Sequence, residues 1–119
     1  MKLSEKQQKF SLMLARLIVV AEGLKISVTM GECYRTQEQQ DIYYAKGYTK
    51  VTQSKHQDRL AVDLNVYIDG QYNTHPENYR MLGYLWEQLG GRWGGRFGVD
   101  KADYETKIGW DAGHFEYAD

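Results

Sequence analysis

Two short segments, far apart in the chain, carry the residue types from which a hydrolytic metal centre is built. The first runs from Ser54 to Asp63 and contains His56 and Asp63; the second, Asp111-Ala112-Gly113-His114, adds a carboxylate and an imidazole. Together they offer two imidazoles, one carboxylate to complete a three-ligand set, and a second carboxylate left over. Hydrolytic zinc is held by three side chains of these types, with an open position for water.

Such residues act together only if the chain brings them to one place. From Leu60 to Ile68 the even positions are Leu60, Val62, Leu64, Val66 and Ile68, while the odd ones are Ala61, Asp63, Asn65 and Tyr67. Period-two alternation predicts a strand with one face on the core, so Asp63 projects from the other face. His56 lies seven residues earlier, an odd separation that would point it away from Asp63 on one regular strand. It therefore belongs on a loop that curls back, within the polar run Thr49 to Arg59. His114, Phe115, Glu116 and Tyr117 alternate as well, which puts His114 and Glu116 on one face of a short strand that leads to the same cleft.

The remaining elements read as support. Ser4 suits an N-cap with Gln7 as its capping-box partner; Phe10, Met13, Leu14, Leu17, Ile18 and Ala21 follow at helical spacing, and Gly23 supplies a stop. Ile26, Val28 and Met30 mark a first strand. Arg35 stands before a second helix, capped by Thr36, with its body at Gln37 to Lys46 and its end at Gly47. Asp69-Gly70 predicts a hairpin turn into Gln71 to Asn73. His75-Pro76 opens a third helix, with Tyr79, Met81, Leu82, Leu85, Trp86 and Leu89 on its buried side and Gly90-Gly91 closing it. Arg92 to Gly98 reads as a glycine-rich aromatic loop without the Lys-Ser/Thr ending of a phosphate-binding loop. Asp100 to Ile108 shows no clear period. With no repeat, low-complexity segment or linker, the expectation is one α+β domain over residues 1–119.

Composition narrows the function classes. A net charge of −1 and a pI near 6.3 leave no nucleic-acid footprint. Cys33 is the only cysteine, which excludes an internal disulfide and a paired-cysteine metal motif; a buried inert thiol is expected rather than a nucleophile. No stretch is long enough to span a membrane. Leu12 to Ala21 is apolar, but Arg16 interrupts it, polar residues precede it and no cleavage site follows, so it reads as a helix of the mature domain. The expectation is synthesis in the cytoplasm without a secretion signal, and a monomer. Several residues have ordinary readings too. His75 suits a surface or capping role, Asp111 a turn with Gly113, and Arg35 an ion pair with Glu32 or Glu38. Glu116 suits orienting a metal ligand better than binding metal itself.

The Ser-x-His-x6-Asp pattern at Ser54, His56 and Asp63, followed by acid-x-x-His at Asp111 and His114, resembles the zinc DD-peptidases. That family holds D-alanyl-D-alanine carboxypeptidases and dipeptidases and the L-alanyl-D-glutamate endopeptidases of phage lysins. Tyr34-Arg35-Thr36 before a Gln-rich helix is similar as well, as is Gly90-Gly91-Arg92-Trp93-Gly94-Gly95. Order and spacing agree from about Gly31 to Tyr117.

The resemblance implies a small antiparallel sheet flanked by about three helices, with one zinc ion on the open face of the sheet. It implies His56, Asp63 and His114 as zinc ligands, Asp111 as catalytic acid/base, and Arg35 as the contact to the substrate carbonyl. Ser54 either binds substrate or braces the metal loop. Many carboxypeptidase members carry Glu at the position of Asp111 and an aromatic pair in place of Ala112-Gly113; Asp is more like the lysin endopeptidases. The implied function is zinc-dependent cleavage of peptidoglycan stem peptides, at the L-alanyl–D-glutamate bond, as in endolysins of phage or prophage. The enzyme would act at the wall or periplasm after release, with a holin-type export partner and no stable membrane association. The alternatives are a D-alanyl-D-alanine carboxypeptidase or dipeptidase, and a non-catalytic zinc-stabilised binding module, since the scaffold also resembles the hedgehog signalling domain.

Overall fold

A computed structural model describes residues 1–119. The polypeptide runs α1 (Leu3–Gly23), β1 (Ile26–Met30), α2 (Gln37–Ala45), β2 (Ala61–Ile68), β3 (Gln71–Asn73), α3 (Arg80–Gln88), β4 (Arg92–Trp93) and β5 (His114–Glu116), with 3-10 turns between several of them. The fold is α+β, three helices around a five-stranded antiparallel sheet, as the sequence led us to expect.

The alternating strand is the spine. One edge of β2 pairs with β1, from Met30↔Leu64 to Ile26↔Ile68. Its other edge is shared: β5 takes Ala61 to Asp63 and β3 takes Val66 to Ile68, and β4 adds on beyond β5. Leu60, Val62, Leu64 and Val66 are buried against Phe10, Met13 and Leu17 of α1 and Leu82 and Trp86 of α3. Phe10 and Phe115 each meet the Trp86 ring edge-on, at 5.7 and 6.2 Å between centroids. This leaves the Asp63 face of β2 outside the main core. The β2–β3 turn has Asp69 at φ 52° and Gly70 at φ 75°, the two left-handed residues of a type I′ hairpin.

Four local expectations need correction. Lys2, not Ser4, precedes the first helix, and it makes no side-chain cap; Gln7 instead donates to the Asp58 carbonyl at 2.7 Å, which ties α1 to the metal loop. The left-handed residue after α1 is Lys25 (φ 62°), while Gly23 is still helical. Met81 is exposed on α3, whereas Tyr79, Leu82 and Trp86 are buried and Leu85 and Leu89 pack partly buried against the core. Arg92 and Trp93 form strand β4 where a loop was expected: Trp93 pairs with Phe115, and its Nε1 donates to the Ala112 carbonyl at 2.7 Å. No helix is long and apolar enough to cross a membrane.

Candidate metal centre

His56 sits in a 3-10 turn, Lys55–Asp58, that the local sequence builds by itself. Ser54 Oγ accepts from the His56 backbone N–H, and the Gln57 side chain accepts from the Ser54 N–H, a reciprocal cap. Arg59 then turns left-handed (φ 54°) and passes the chain into β2. Ser54 thus braces the metal loop while it also lines the cleft. Asp63 follows on β2, and β5 places His114 directly across from it as its cross-strand partner.

Hydrogen bonding settles which nitrogen of each ring faces inward. His56 Nδ1 lies 3.0 Å from the Cys33 carbonyl, which can only accept, so Nε2 presents a lone pair. His114 Nε2 lies 2.7 Å from Glu116 Oε1 and donates to it, so Nδ1 presents a lone pair. The inward atoms converge: His56 Nε2 to Asp63 Oδ1 is 3.3 Å, His114 Nδ1 to Asp63 Oδ1 is 3.5 Å, and the two nitrogens are 3.2 Å apart. Three electron-rich atoms so close repel one another unless a cation lies among them. The spacing also fits the cation: ligands about 2.0–2.1 Å from a tetrahedral zinc are about 3.3–3.4 Å from each other. The residues present therefore suit zinc.

Protons on the inward nitrogens can take the place of the cation, and the electrostatics of that protonated form show which charge the pocket favours. Burial pushes the Asp63 carboxyl up, but hydrogen bonds from His114 and His56, with their charge, reverse this and hold it well below the usual carboxylate range. Burial likewise disfavours a charged His114, yet hydrogen bonds to Asp63 and Glu116 and the charge of Asp111 raise it to about 9. The pocket stabilises positive charge at its centre.

Glu116 is the outer partner. It is buried, does not join the inward cluster, and its second oxygen lies 3.7 Å from Arg92. A carboxylate in this position fixes the tautomer and tilt of a metal-binding imidazole. Glu116→Gln is expected to weaken zinc binding about 10- to 100-fold, read by competition with a chromophoric chelator; unchanged affinity would leave Glu116 without that role.

Asp111 and Arg35 complete the cleft, whose volume is about 930 Å³. Asp111 is part-exposed; its carboxylate lies 3.8 Å from His114 Nδ1, outside the converging trio, and its carbonyl accepts from the His114 N–H at 3.0 Å. It is both turn residue and cleft residue. Burial, helped by Asp63, pushes its carboxyl above the ordinary range against the pull of His114, His56 and Arg35. Gly94 packs beneath this turn, where a Cβ would strike the Asp111 carbonyl and the His114 side chain.

Arg35 pairs with Glu32, not Glu38. Its Nε donates to Glu32 Oε1 at 2.6 Å, its Nη2 contacts the same oxygen, and its Nη1 donates to Gln40 Oε1 at 2.7 Å. Its plane lies 4.8 Å over Tyr43. Three of five N–H groups are thus engaged and two are free. Sequence reading missed Gln40, which is fully buried and also donates to the Val51 carbonyl at 2.7 Å. Gln40→Leu is expected to lower turnover about 10-fold or more through a misplaced Arg35, with zinc content unchanged; turnover equal to wild type would contradict this. His75 is remote, capping the turn before α3 by accepting from the Glu77 N–H. Cys33 is half-buried, burial raises its thiol, and it contributes only its carbonyl.

Residues 48–117 match the model of a family described as D-alanyl-D-alanine carboxypeptidase. No curated protein matches the sequence. Among solved structures, the chain is similar to the L-Ala D-Glu endopeptidase ChiX of Serratia marcescens, at 20% identity and TM-score 0.66, over 97% of this chain and 85% of that one. It is also similar to the D,D-pentapeptidase VanY of the VanB-type resistance cassette. The mutant in complex with Zn(II) is 29% identical with TM-score 0.60, over 91% of this chain and 70% of that one. VanYB in complex with D-alanine-D-alanine is 28% identical with TM-score 0.61, over 92% and 70%.

Proposed function

This chain belongs to the D-alanyl-D-alanine carboxypeptidase family, zinc metallopeptidases acting on peptidoglycan peptides, and we propose that it is an endopeptidase of the L-alanyl–D-glutamate bond. The observation that carries the catalytic reading is the convergence of His56 Nε2, Asp63 Oδ1 and His114 Nδ1, with Asp111 beside them on the cleft side. The choice of bond rests on Asp at position 111 and the small Ala112-Gly113 pair before His114.

His56, Asp63 and His114 would hold the zinc. When bound, zinc acts as a Lewis acid that makes water nucleophilic near neutral pH and polarises a carbonyl. Asp111 takes the proton of the attacking water and returns it to the departing amine. Arg35 lines the same cleft, and the two N–H groups it leaves unengaged would stabilise the growing negative charge of the scissile carbonyl oxygen. Glu116 holds the His114 Nε2 proton and so keeps Nδ1 aimed inward. The enzyme acts at the wall.

The test is digestion of purified peptidoglycan, with mass spectrometry of the products. New N-terminal D-glutamyl fragments support the endopeptidase; release of D-alanine alone would replace it by the carboxypeptidase. That second reading is favoured by the description of the family and by the 28–29% identity to VanY.

A further inference from the structure

Four cations line the metal cleft: Arg35, Lys50, Lys55 and Arg92. Arg35 is paired with Glu32, Lys55 with Asp119 and Arg92 with Glu116. Lys50 is the exception, with no carboxylate within 4.0 Å. Its Nζ lies instead 5.4 Å over the ring of Trp110, the residue next to Asp111.

Trp110 is not a loose rim residue. Its ring packs 5.7 Å from Phe97, and Phe97 packs 5.5 Å from the imidazole of His114. A continuous aromatic wall thus leads from the metal centre to the Lys50 ammonium. The contact to Trp110 holds the charge at the cleft without neutralising it. An unpaired cation kept at one end of a catalytic cleft is a ready partner for an anion on the substrate.

The stem peptide offers such an anion at a fixed place. D-Glutamate is joined through its γ-carboxyl, so its α-carboxylate stays free on the residue that leaves when the L-alanyl–D-glutamate bond is cut. We propose that Lys50, held by Trp110, receives this leaving-side carboxylate and determines specificity for stem peptides in which it is not amidated. The inference rests on the peptidase reading above but not on the choice of bond, because the leaving residue of D-alanyl-D-alanine also carries a free carboxylate.

The experiment compares L-Ala-γ-D-Glu-L-Lys with its D-isoglutamine counterpart, in which the α-carboxylate is an amide. Both are tested on zinc-loaded wild type and Lys50→Met, by kcat/KM and, in the Asp111→Asn background, by calorimetric binding. Wild type is expected to favour the free acid about five- to tenfold, and Lys50→Met less than about twofold. Because the readout is a ratio, general damage to the variant cancels. A wild type indifferent to amidation, or a variant that keeps the full ratio, overturns the proposal. Product masses report separately which bond is cut. If only D-alanine is released, the same ratio for a D-alanyl-D-alanine peptide and its C-terminal amide decides the role of Lys50. The binding ratio decides it even without turnover.

Discussion

His114→Ala is expected to weaken zinc binding by about a thousandfold or more and to abolish hydrolysis with it. The loss is larger than one ligand among three suggests, because His114 organises its neighbours. Its Nδ1 is 3.5 Å from Asp63 Oδ1 and 3.2 Å from His56 Nε2, and its Nε2 occupies Glu116 Oε1. Without the ring, Glu116 stays buried with only Arg92, 3.7 Å away, as its charge partner. A buried carboxylate deprived of its hydrogen bond also costs stability, so Glu116→Gln in the same chain should recover part of the melting temperature without recovering the metal. Elemental analysis of the protein after zinc reconstitution and gel filtration provides the check. About one zinc per chain in wild type and almost none in the variant is the expected result. Stoichiometric zinc in the variant would remove His114 from the site.

The site was legible wherever a local rule had one outcome. Alternation from Leu60 to Ile68 can hardly be read otherwise, since a one-residue slip would bury Asp63 and expose Val62. Once that strand is fixed, the odd separation of His56 forces a turn, and the observed 3-10 turn capped by Ser54 and Gln57 is that turn. What could not be read depends on contacts between distant segments. β4 is two residues long and exists because β5 lies alongside it; its glycines and aromatics by themselves look like a loop. Gln40 sits on a polar helix of low apolar content and resembles any solvated glutamine. It is buried because the Val51 segment folds over it and Arg35 reaches back to it, two contacts that the spacing of residues along α2 does not encode. Met81 is the converse case, an apolar residue near the helical stripe that is left exposed while its neighbour Leu82 is fully buried.

Asp111→Ala separates a peptidase from a zinc-stabilised binding module, and we expect it to lose turnover about 10²- to 10⁴-fold while it keeps its zinc. The separation is possible because of where the carboxylate lies. At 3.8 Å from His114 Nδ1 it stands beside the trio of inward atoms without belonging to it, and it is half open to the cleft. A carboxylate raised by burial and by neighbouring Asp63 is a better proton acceptor than an ordinary surface aspartate, which suits it to take a proton and return it within one cycle. A merely structural metal site has no use for such a group. Asp111→Asn should behave like the alanine variant, since the amide preserves shape and removes basicity. Asp111→Glu should regain part of the activity if reach is not limiting, because many members of the family carry glutamate at this position. Turnover near wild type in Asp111→Ala would sink the acid/base assignment, and zinc lost together with activity would make Asp111 a ligand.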